Sequence, residues 1–540
     1  MMAAAAVETP VATIPEIVRK VRDGFNSRKT LDKAFRTEQL RGLQRMMQEC
    51  RDRIGQALKT DLDKCGMEIF MTECNHCEVE VSDAIKQLGH WMAPESVSKG
   101  LVNMMNSVFV EPEPYGVVLV IAPWNYPFSL VVLPLIGAIA AGNACIIKPS
   151  ELSAATSNLF CELLPQYLDH DCYSVISGGV DVSQAVLKER FDYIFYTGST
   201  PVGKLVMKQA AENLTPVTLE LGGKSPCIIA NDAAIEVAAK RLVWGKCINS
   251  GQTCIAPDYV ICPRDKQAVL VERCKEAIRE FYGEDPRLSP DYGKVINQRH
   301  FNRLMSLIRS TRGNVVFGGD TDEQKLKINP TLITDVTPGD PIMEDEIFGP
   351  ILPFVPVDSV DEAINLVNSR EKPLAFYVFT ESKALFERIK RATSSGAILQ
   401  NETLVHHQGK IQCDKHSQQT TSKCPMMLIQ AFHLKWDSGS KFKTFPFSAL
   451  PFGGVGHSGI GAYHGKLTFD TFSHRRAVLC AGTGFMESLN AKIKYPPWDE
   501  VKEARLRRLI SPGGGNVVPA MSVLMMLAVI SVVVMYLQVF

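Results

Sequence analysis

The sequence predicts an α/β protein built on parallel, helix-covered sheets, and two observations carry that prediction. Short runs rich in valine and isoleucine alternate with helical stretches, and the runs are apolar throughout instead of alternating with polar residues, as strands buried on both faces require. At 540 residues the chain also exceeds what a single core serves, so two or three packed units are expected. In a first series, strands at 117–122, 144–147, 173–176, 193–196 and 216–220 are separated by helices at 128–141, 154–168, 182–189 and 202–211. A second series follows Gly222, with strands at 227–230, 259–262, 351–355 and 375–379 and helices at 267–281 and 300–310. Ahead of both, residues 15–88 place Leu40, Leu43, Met46 and Met47 at helical spacing among polar residues, which predicts an outer layer of helices.

Lysine plus arginine (58) balances aspartate plus glutamate (58), so no global field favours nucleic acid or another polyanion. The 15 cysteines are scattered without framework spacing and read as free thiols in a reducing compartment. Cys74 and Cys77 form a lone C-x-x-C with no second pair at zinc spacing, so they read as two thiols on a helix, and no metal site is expected.

Two segments depart from the globular pattern. Residues 516–540 carry no charge, and at a ~1.5 Å rise per residue a helix of that length covers about 36 Å, enough for a hydrocarbon layer of ~30 Å. Arg505, Arg507 and Arg508 precede it, and a Gly-rich hinge at 512–515 separates the two, which predicts a transmembrane tail anchor with the globular part facing the cytosol. Residues 408–444 are polar and rich in lysine, serine and glutamine with no sustained period, and read as an inserted loop. The residues at 443–448 (KTFPFS) are codable by a pyrimidine-rich stretch, which offers a translated intron as the origin of that tract.

Three short motifs carry chemistry. In G-Q-T-C, 251–254, Cys254 is a candidate nucleophile, a role that requires a thiolate in an electropositive, partly exposed setting such as a helix N-terminus. In T-L-E-L-G-G-K-S-P, 218–226, Glu220 closes an apolar strand, where burial raises a carboxyl's pKa toward that of a neutral-pH general base. In P-W-N-Y-P, 123–127, Asn125 follows the strand 117–122 and offers an amide donor for an oxyanion; a plain turn asparagine is the competing reading. The turn G-S-T-P-V-G, 198–203, opens a helix after a strand and suits a pyrophosphate. K-P-S-E, 148–151, sets Lys148 and Glu151 at the same edge, suited to ribose hydroxyls, or else is a helix cap with Ser150 as N-cap.

Together with E-I-F-G-P-I-L-P at 346–353, these motifs resemble the aldehyde dehydrogenase superfamily, most of all its class 3 branch and the membrane-anchored members that act on fatty aldehydes. The likeness runs from about Ile17 to Val405 and resumes at Leu450. It implies an aldehyde dehydrogenase-like α/β fold: a Rossmann-type parallel-sheet cofactor domain (1–221), a second α/β catalytic domain (222–445, containing the 408–444 insertion), a small oligomerisation arm (446–511) and a C-terminal transmembrane helix (516–540). By the same resemblance Cys254 is the nucleophile, Glu220 the general base and Asn125 the oxyanion donor. Lys148 and Glu151 hold ribose and adenosine. Gly198, Ser199 and Gly203 form the pyrophosphate turn, Glu346 and Phe348 lie near the nicotinamide ribose and ring, and Trp124 is a further cofactor contact. The implied cofactor is NAD, or NADP, and the implied reaction is oxidation of medium- or long-chain aliphatic aldehydes to acids. A homodimer at the endoplasmic reticulum membrane is implied as well. In the family a short connection joins the segments matching 401–407 and P-F-G-G, and the long tract here gives an alternative expectation, a catalytically impaired, anchored dimer partner.

Overall fold

The computed structural model describes residues 6–99, 106–407, 450–483 and 495–510. The described residues fall into two compact units, one drawn from those within 6–91 and 114–474 and the other from those within 92–113 and 475–510.

In the larger unit a six-stranded sheet runs, edge to edge, Gly459–Ile460, Val217–Glu220, Tyr193–Thr197, Val117–Ile121, Ala144–Lys148 and Tyr173–Val175. The last five strands are parallel, with Val117 opposite Ala144 and Val118 opposite Tyr193. Their residues are buried almost throughout, which is why they lack polar alternation. Helices Ser129–Ala141 and Ala154–Tyr167 carry the chain from Val117–Ile121 outward to one side, and the chain then returns to lay Tyr193–Thr197 on the other side. Strand order therefore reverses between Val117–Ile121 and Tyr193–Thr197, the place where open α/β sheets form a ligand crevice beyond the strand C-termini. A seven-stranded sheet orders Asn314–Phe317, Thr331–Thr334, Ile351–Val357, Tyr259–Pro263, Pro226–Ile229, Ala375–Phe379 and Ala397–Gln400 around a second core containing Ile261, Ile333, Ile351 and Phe376.

Both sheets are parallel as expected, apart from one antiparallel strand at an edge of each. Asn314–Phe317 runs antiparallel to Thr331–Thr334, and Gly459–Ile460 runs antiparallel to Val217–Glu220, setting Gly459 opposite Glu220. Each short edge strand occupies hydrogen-bonding groups that a parallel sheet would leave open.

The N-terminal helices Ile14–Asn26, Lys33–Glu49, Arg51–Leu62 and Asn75–Trp91 bury one stripe and expose the other, as their period predicts. The stretch between the last two is not an outer layer. Lys64, Glu68 and Glu73 are buried, and Phe70–Cys74 is a π-helical turn. The 13 cysteines among the described residues, Cys74 and Cys77 included, are free.

A three-stranded sheet is formed by Glu95–Ser96, Ser107–Pro114 and Ser473–Cys480, and within the smaller unit it carries ion pairs from Arg475 to Glu95 and from Arg476 to Glu111 (2.7 Å) and Glu113 (3.1 Å). Among the described residues no helix is long and apolar enough to cross a membrane. The expected span 516–540 and the 408–444 tract lie outside the described residues.

One long-range cap tests how the helical layer is locked to the sheet. Buried Asp61 accepts the N–H groups of Ala155 (3.0 Å) and Thr156 (2.9 Å) and the Thr156 hydroxyl, at a helix whose own N-cap, Ser153, makes no side-chain capping bond. Asp61→Ala should cost about 1–2 kcal/mol and lower the thermal midpoint, with Asp61→Asn losing less because one acceptor oxygen remains. An unchanged midpoint in Asp61→Ala would show that the cap contributes nothing.

Candidate active site

The turn at 123–127 leaves the end of Val117–Ile121, and Glu220 ends Val217–Glu220, so the sheet delivers both to its C-terminal edge. Asn125 is buried; its Nδ2 donates to the Gln252 carbonyl at 3.0 Å, two residues before Cys254. That bond engages one of the two amide hydrogens and leaves the other for a ligand. Gln252 is fixed in turn, accepting from Ile296 N–H (2.9 Å) and donating to the Lys294 carbonyl (2.9 Å). Tyr126 Oη and Thr253 Oγ1 lie 2.6 Å apart, and Tyr377 Oη donates to the Ile255 carbonyl, so both neighbours of Cys254 are tied down.

Cys254 is partly exposed, as a nucleophile requires, but its setting differs from the electropositive one expected. It sits in a turn after the 3-10 segment Ile248–Gly251, and burial raises its thiol pKa, reinforced by the charges of Glu346 and Glu220. The two carboxyls come from other segments of the chain, and any charge on them disfavours the thiolate. At rest the sulfur is therefore a protonated thiol.

Glu220 is 1% exposed, and neither carboxyl oxygen has a hydrogen-bond partner among the described residues. Burial alone pushes its pKa well above the usual carboxylate value. Glu346 packs over Gly222, where an added Cβ would lie 2.6 Å from Oε2. Its pKa is raised to about 8 by burial and by the charge of Asp258, against the opposing influence of the Gly223 N–H, Lys224 and Lys246. The Glu346 loop is held by Lys224, which donates to the carbonyls of Ile342 (2.8 Å) and Asp345 (2.9 Å), by Asp258, which accepts Ile347 N–H (3.0 Å), and by Arg303, which donates to the Ile347 carbonyl (2.6 Å).

Trp124 links the two sheets, with its ring 5.3 Å from Phe348, edge-on, and 5.0 Å from His300. Phe348 has a positive φ of 47°, a strained value for a bulky residue that the pinned loop sustains. On the other side of the switch point, Gly198 and Ser199 open the helix Thr200–Ala211, whose N-terminus receives no bond from the Ser199 side chain. Gly203 packs where an added Cβ would meet Leu221 Cδ2 at 2.7 Å, so the helix can approach the sheet only without a side chain there. Lys148 ends its strand, buried, and its Nζ donates to Glu151 Oε2 at 3.1 Å. Ser150 is not the cap of the following helix; its Oγ accepts the Leu152 N–H, while Asp61 takes the helix N–H groups.

The residues fit a dinucleotide. Open N–H groups at a helix N-terminus suit the pyrophosphate, the Lys148–Glu151 pair suits ribose hydroxyls, and the unpartnered Thr197 hydroxyl lies on the same strand end. Asn125, Lys148, Gly198 and Glu220 lie at the C-terminal ends of strands of the six-stranded sheet, whereas Cys254, Glu346 and Phe348 lie on segments that lead into the strands Tyr259–Pro263 and Ile351–Val357 of the seven-stranded sheet. Sequence reasoning missed Lys64, Glu68, Glu73, Lys224, Asp258, His300 and Arg303. A lysine inside G-G-K-S-P was the one available signal, for Lys224; the others are ordinary charges until the fold brings them in.

A buried group, His76, Glu80 and His464, has the composition of a metal site. Its two imidazoles stack, 4.8 Å apart and 12° from parallel, so their in-plane lone pairs cannot converge on one ion. Glu80 instead receives His464 Nδ1 (2.7 Å) and the Gly465 N–H, a hydrogen-bonded tie between a helix and the chain's late segment.

This geometry defines an oxidoreductase of the thiol, carboxyl and nucleotide-crevice type. The aldehyde dehydrogenase family model matches residues 3–421, and the chain belongs to that family. It is an NAD(P)-dependent aldehyde dehydrogenase. It is 46% identical over 485 residues to aldehyde dehydrogenase family 3 member A2 of Pongo abelii, covering 90% of this chain and 91% of that one. It is 45% identical over 487 residues to the dimeric NADP-preferring aldehyde dehydrogenase of Mus musculus, covering 90% and 98%. A solved substrate-bound structure of Staphylococcus aureus AldH superposes with a TM-score of 0.82 at 38% identity, covering 92% of this chain and 99% of that chain.

Because Glu346 is charged only above pH about 8, its effect on the thiol can be isolated. Glu346→Gln should accelerate alkylation of Cys254 by iodoacetamide at pH 9 and leave the rate at pH 6.5 nearly unchanged. Equal rates at both pH values would show that this carboxylate does not govern the sulfur.

Proposed function

We propose that this chain oxidises medium- and long-chain aliphatic aldehydes to carboxylic acids through a covalent thioester on Cys254. What carries the reading is the convergence of a partly exposed thiol, an unpartnered buried carboxyl and a clamped amide at one crevice. The thiol gives its proton to the Glu220 carboxylate as sulfur adds to the carbonyl carbon, and the oxygen becomes an alkoxide held by the free Asn125 N–H. Bound NAD(P) supplies the acceptor for the hydrogen and electron pair that leave the aldehyde carbon, and brings a positive ring. Beside a positive charge both Cys254 and Glu220 release protons more easily, which offsets the cost that burial sets on ionising either group. After Glu220 has released the thiol's proton to solvent, it takes a proton from water as the water oxygen adds to the thioester carbon; the C–S bond breaks, the acid leaves and that proton passes to sulfur, restoring the thiol.

Lys148 and Glu151 hold the ribose, Gly198, Ser199 and Gly203 the pyrophosphate, and Trp124, Glu346 and Phe348 the nicotinamide end. On this reading residues 1–221 form the cofactor half, 222–445 the catalytic half and 446–511 an oligomerisation arm of a homodimer. The uncharged segment 516–540 anchors the chain in the endoplasmic reticulum membrane, where apolar aldehydes partition. An impaired isoform is not favoured, because the chain beyond 408–444 still reaches the site region, with Gly459 paired opposite Glu220.

Decanal should drive reduction of NAD or NADP by the full chain, and Cys254→Ala should abolish it. Glu220→Gln should slow turnover by about 10²-fold or more, with thioester hydrolysis affected more than acylation. No reduction by folded wild-type protein would instead establish the impaired isoform. Deleting 516–540 should move the protein from the microsomal to the soluble fraction of an expressing cell; retention in membranes would overturn the anchor.

A further inference from the structure

We infer that Lys64 and Glu73 are positioning residues for the oxyanion donor, holding the backbone of the 123–129 turn so that the Asn125 amide faces the reacting carbonyl. The inference rests on the Asn125 role proposed above.

Lys64 and Glu73 are both 0% exposed and form an ion pair of 2.6 Å. Lys64 Nζ also donates to the Asn125 main-chain carbonyl at 3.1 Å and lies 4.0 Å from the centroid of the Tyr126 ring. The second Glu73 oxygen accepts the N–H groups of Ser129 (2.8 Å) and Phe128 (3.3 Å), at the start of the helix Ser129–Ala141, whose N-cap provides no side-chain bond of its own. The pair thus grips the turn at two points, on either side of Tyr126 and Pro127. Asn249 Nδ2 shares the Asn125 carbonyl at 2.7 Å, and Glu68 in turn accepts the Asn249 N–H at 2.9 Å. Glu73 lies in the π-helical turn Phe70–Cys74, which shifts the helical register there, and such turns cluster at functional sites.

A buried ion pair is poor evidence of stabilisation, because desolvating two charges offsets their attraction and an apolar pair of similar volume is often as stable. What this pair does that an apolar one could not is fix peptide groups. With the Asn125 backbone held at its carbonyl and the next helix held at its first N–H groups, the side chain has one hydrogen on Gln252 and its other direction set. A displacement of about 1 Å at such a donor can cost on the order of 10²-fold in rate.

The test compares full-length wild type, Asn125→Ala, Glu73→Gln and the double variant Lys64→Met/Glu73→Gln, which removes both charges at similar volume. Four readouts are taken: kcat and KM for decanal oxidation, hydrolysis of p-nitrophenyl acetate without cofactor, alkylation of Cys254 by iodoacetamide, and NAD affinity by fluorescence quenching. The first two reactions build an oxyanion; alkylation does not. The expected result is a fall of about 10- to 100-fold in kcat and in ester hydrolysis for the double variant, a smaller fall for Glu73→Gln, and alkylation and NAD affinity within about twofold of wild type. Wild-type turnover in the double variant, with Asn125→Ala strongly impaired, would overturn the positioning role and leave the oxyanion reading standing. Wild-type turnover in Asn125→Ala would sink the oxyanion reading itself. A parallel loss of all four readouts, or failure of both the double variant and Glu73→Gln to fold, would make the pair a general structural element and likewise overturn the inference.

Discussion

A buried carboxyl with no hydrogen-bond partner among the described residues is the constraint around which the site is arranged. Glu220 comes to the end of a parallel strand, where the sheet opens into a crevice, and the antiparallel segment Gly459–Ile460 closes the strand's other side. Burying an ion there is costly, so the group becomes neutral instead. A neutral carboxyl and a neutral thiol can share a small, weakly polar space at rest, which two anions could not. Each is then ready to lose a proton when a positive charge arrives, so reactivity depends on what occupies the crevice.

The remaining groups remove freedom around that pair. Gln252 holds the chain just before Cys254, Tyr377 holds the residue just after it, and Lys224, Asp258 and Arg303 fix the loop that carries Glu346 and Phe348. Most of these bonds end on main-chain atoms. Fixing the backbone in this way lets the reacting side chains keep unoccupied donors and acceptors, which a network of side chains bonded to one another would consume.

Much of the fold was legible because it rests on local pattern. The strand read at 193–196 is Tyr193–Thr197, the helix read at 202–211 is Thr200–Ala211, and both follow from apolar runs and periodicity. Cys254, Glu220 and Asn125 were legible because their motifs are short and contiguous, and the structure brings all three together. The setting of Cys254 was not legible: what disfavours its thiolate is burial, and then the approach of Glu346 from far along the chain. The inward course of Lys64, Glu68 and Glu73 was hidden for a different reason. Helical periodicity treats charges as solvent-facing, and a π-turn breaks the period where those residues must turn inward. The edge strand Gly459–Ile460 is too short to register against its glycine-rich surroundings.

The central claim, that Glu220 is a neutral carboxyl in the resting enzyme, is tested most directly by an infrared difference spectrum between the ligand-free chain and its Glu220→Gln variant at pH 7. The account predicts a protonated carboxyl C=O band present in the wild type and missing from the variant. A difference showing only ionised carboxylate bands would contradict it.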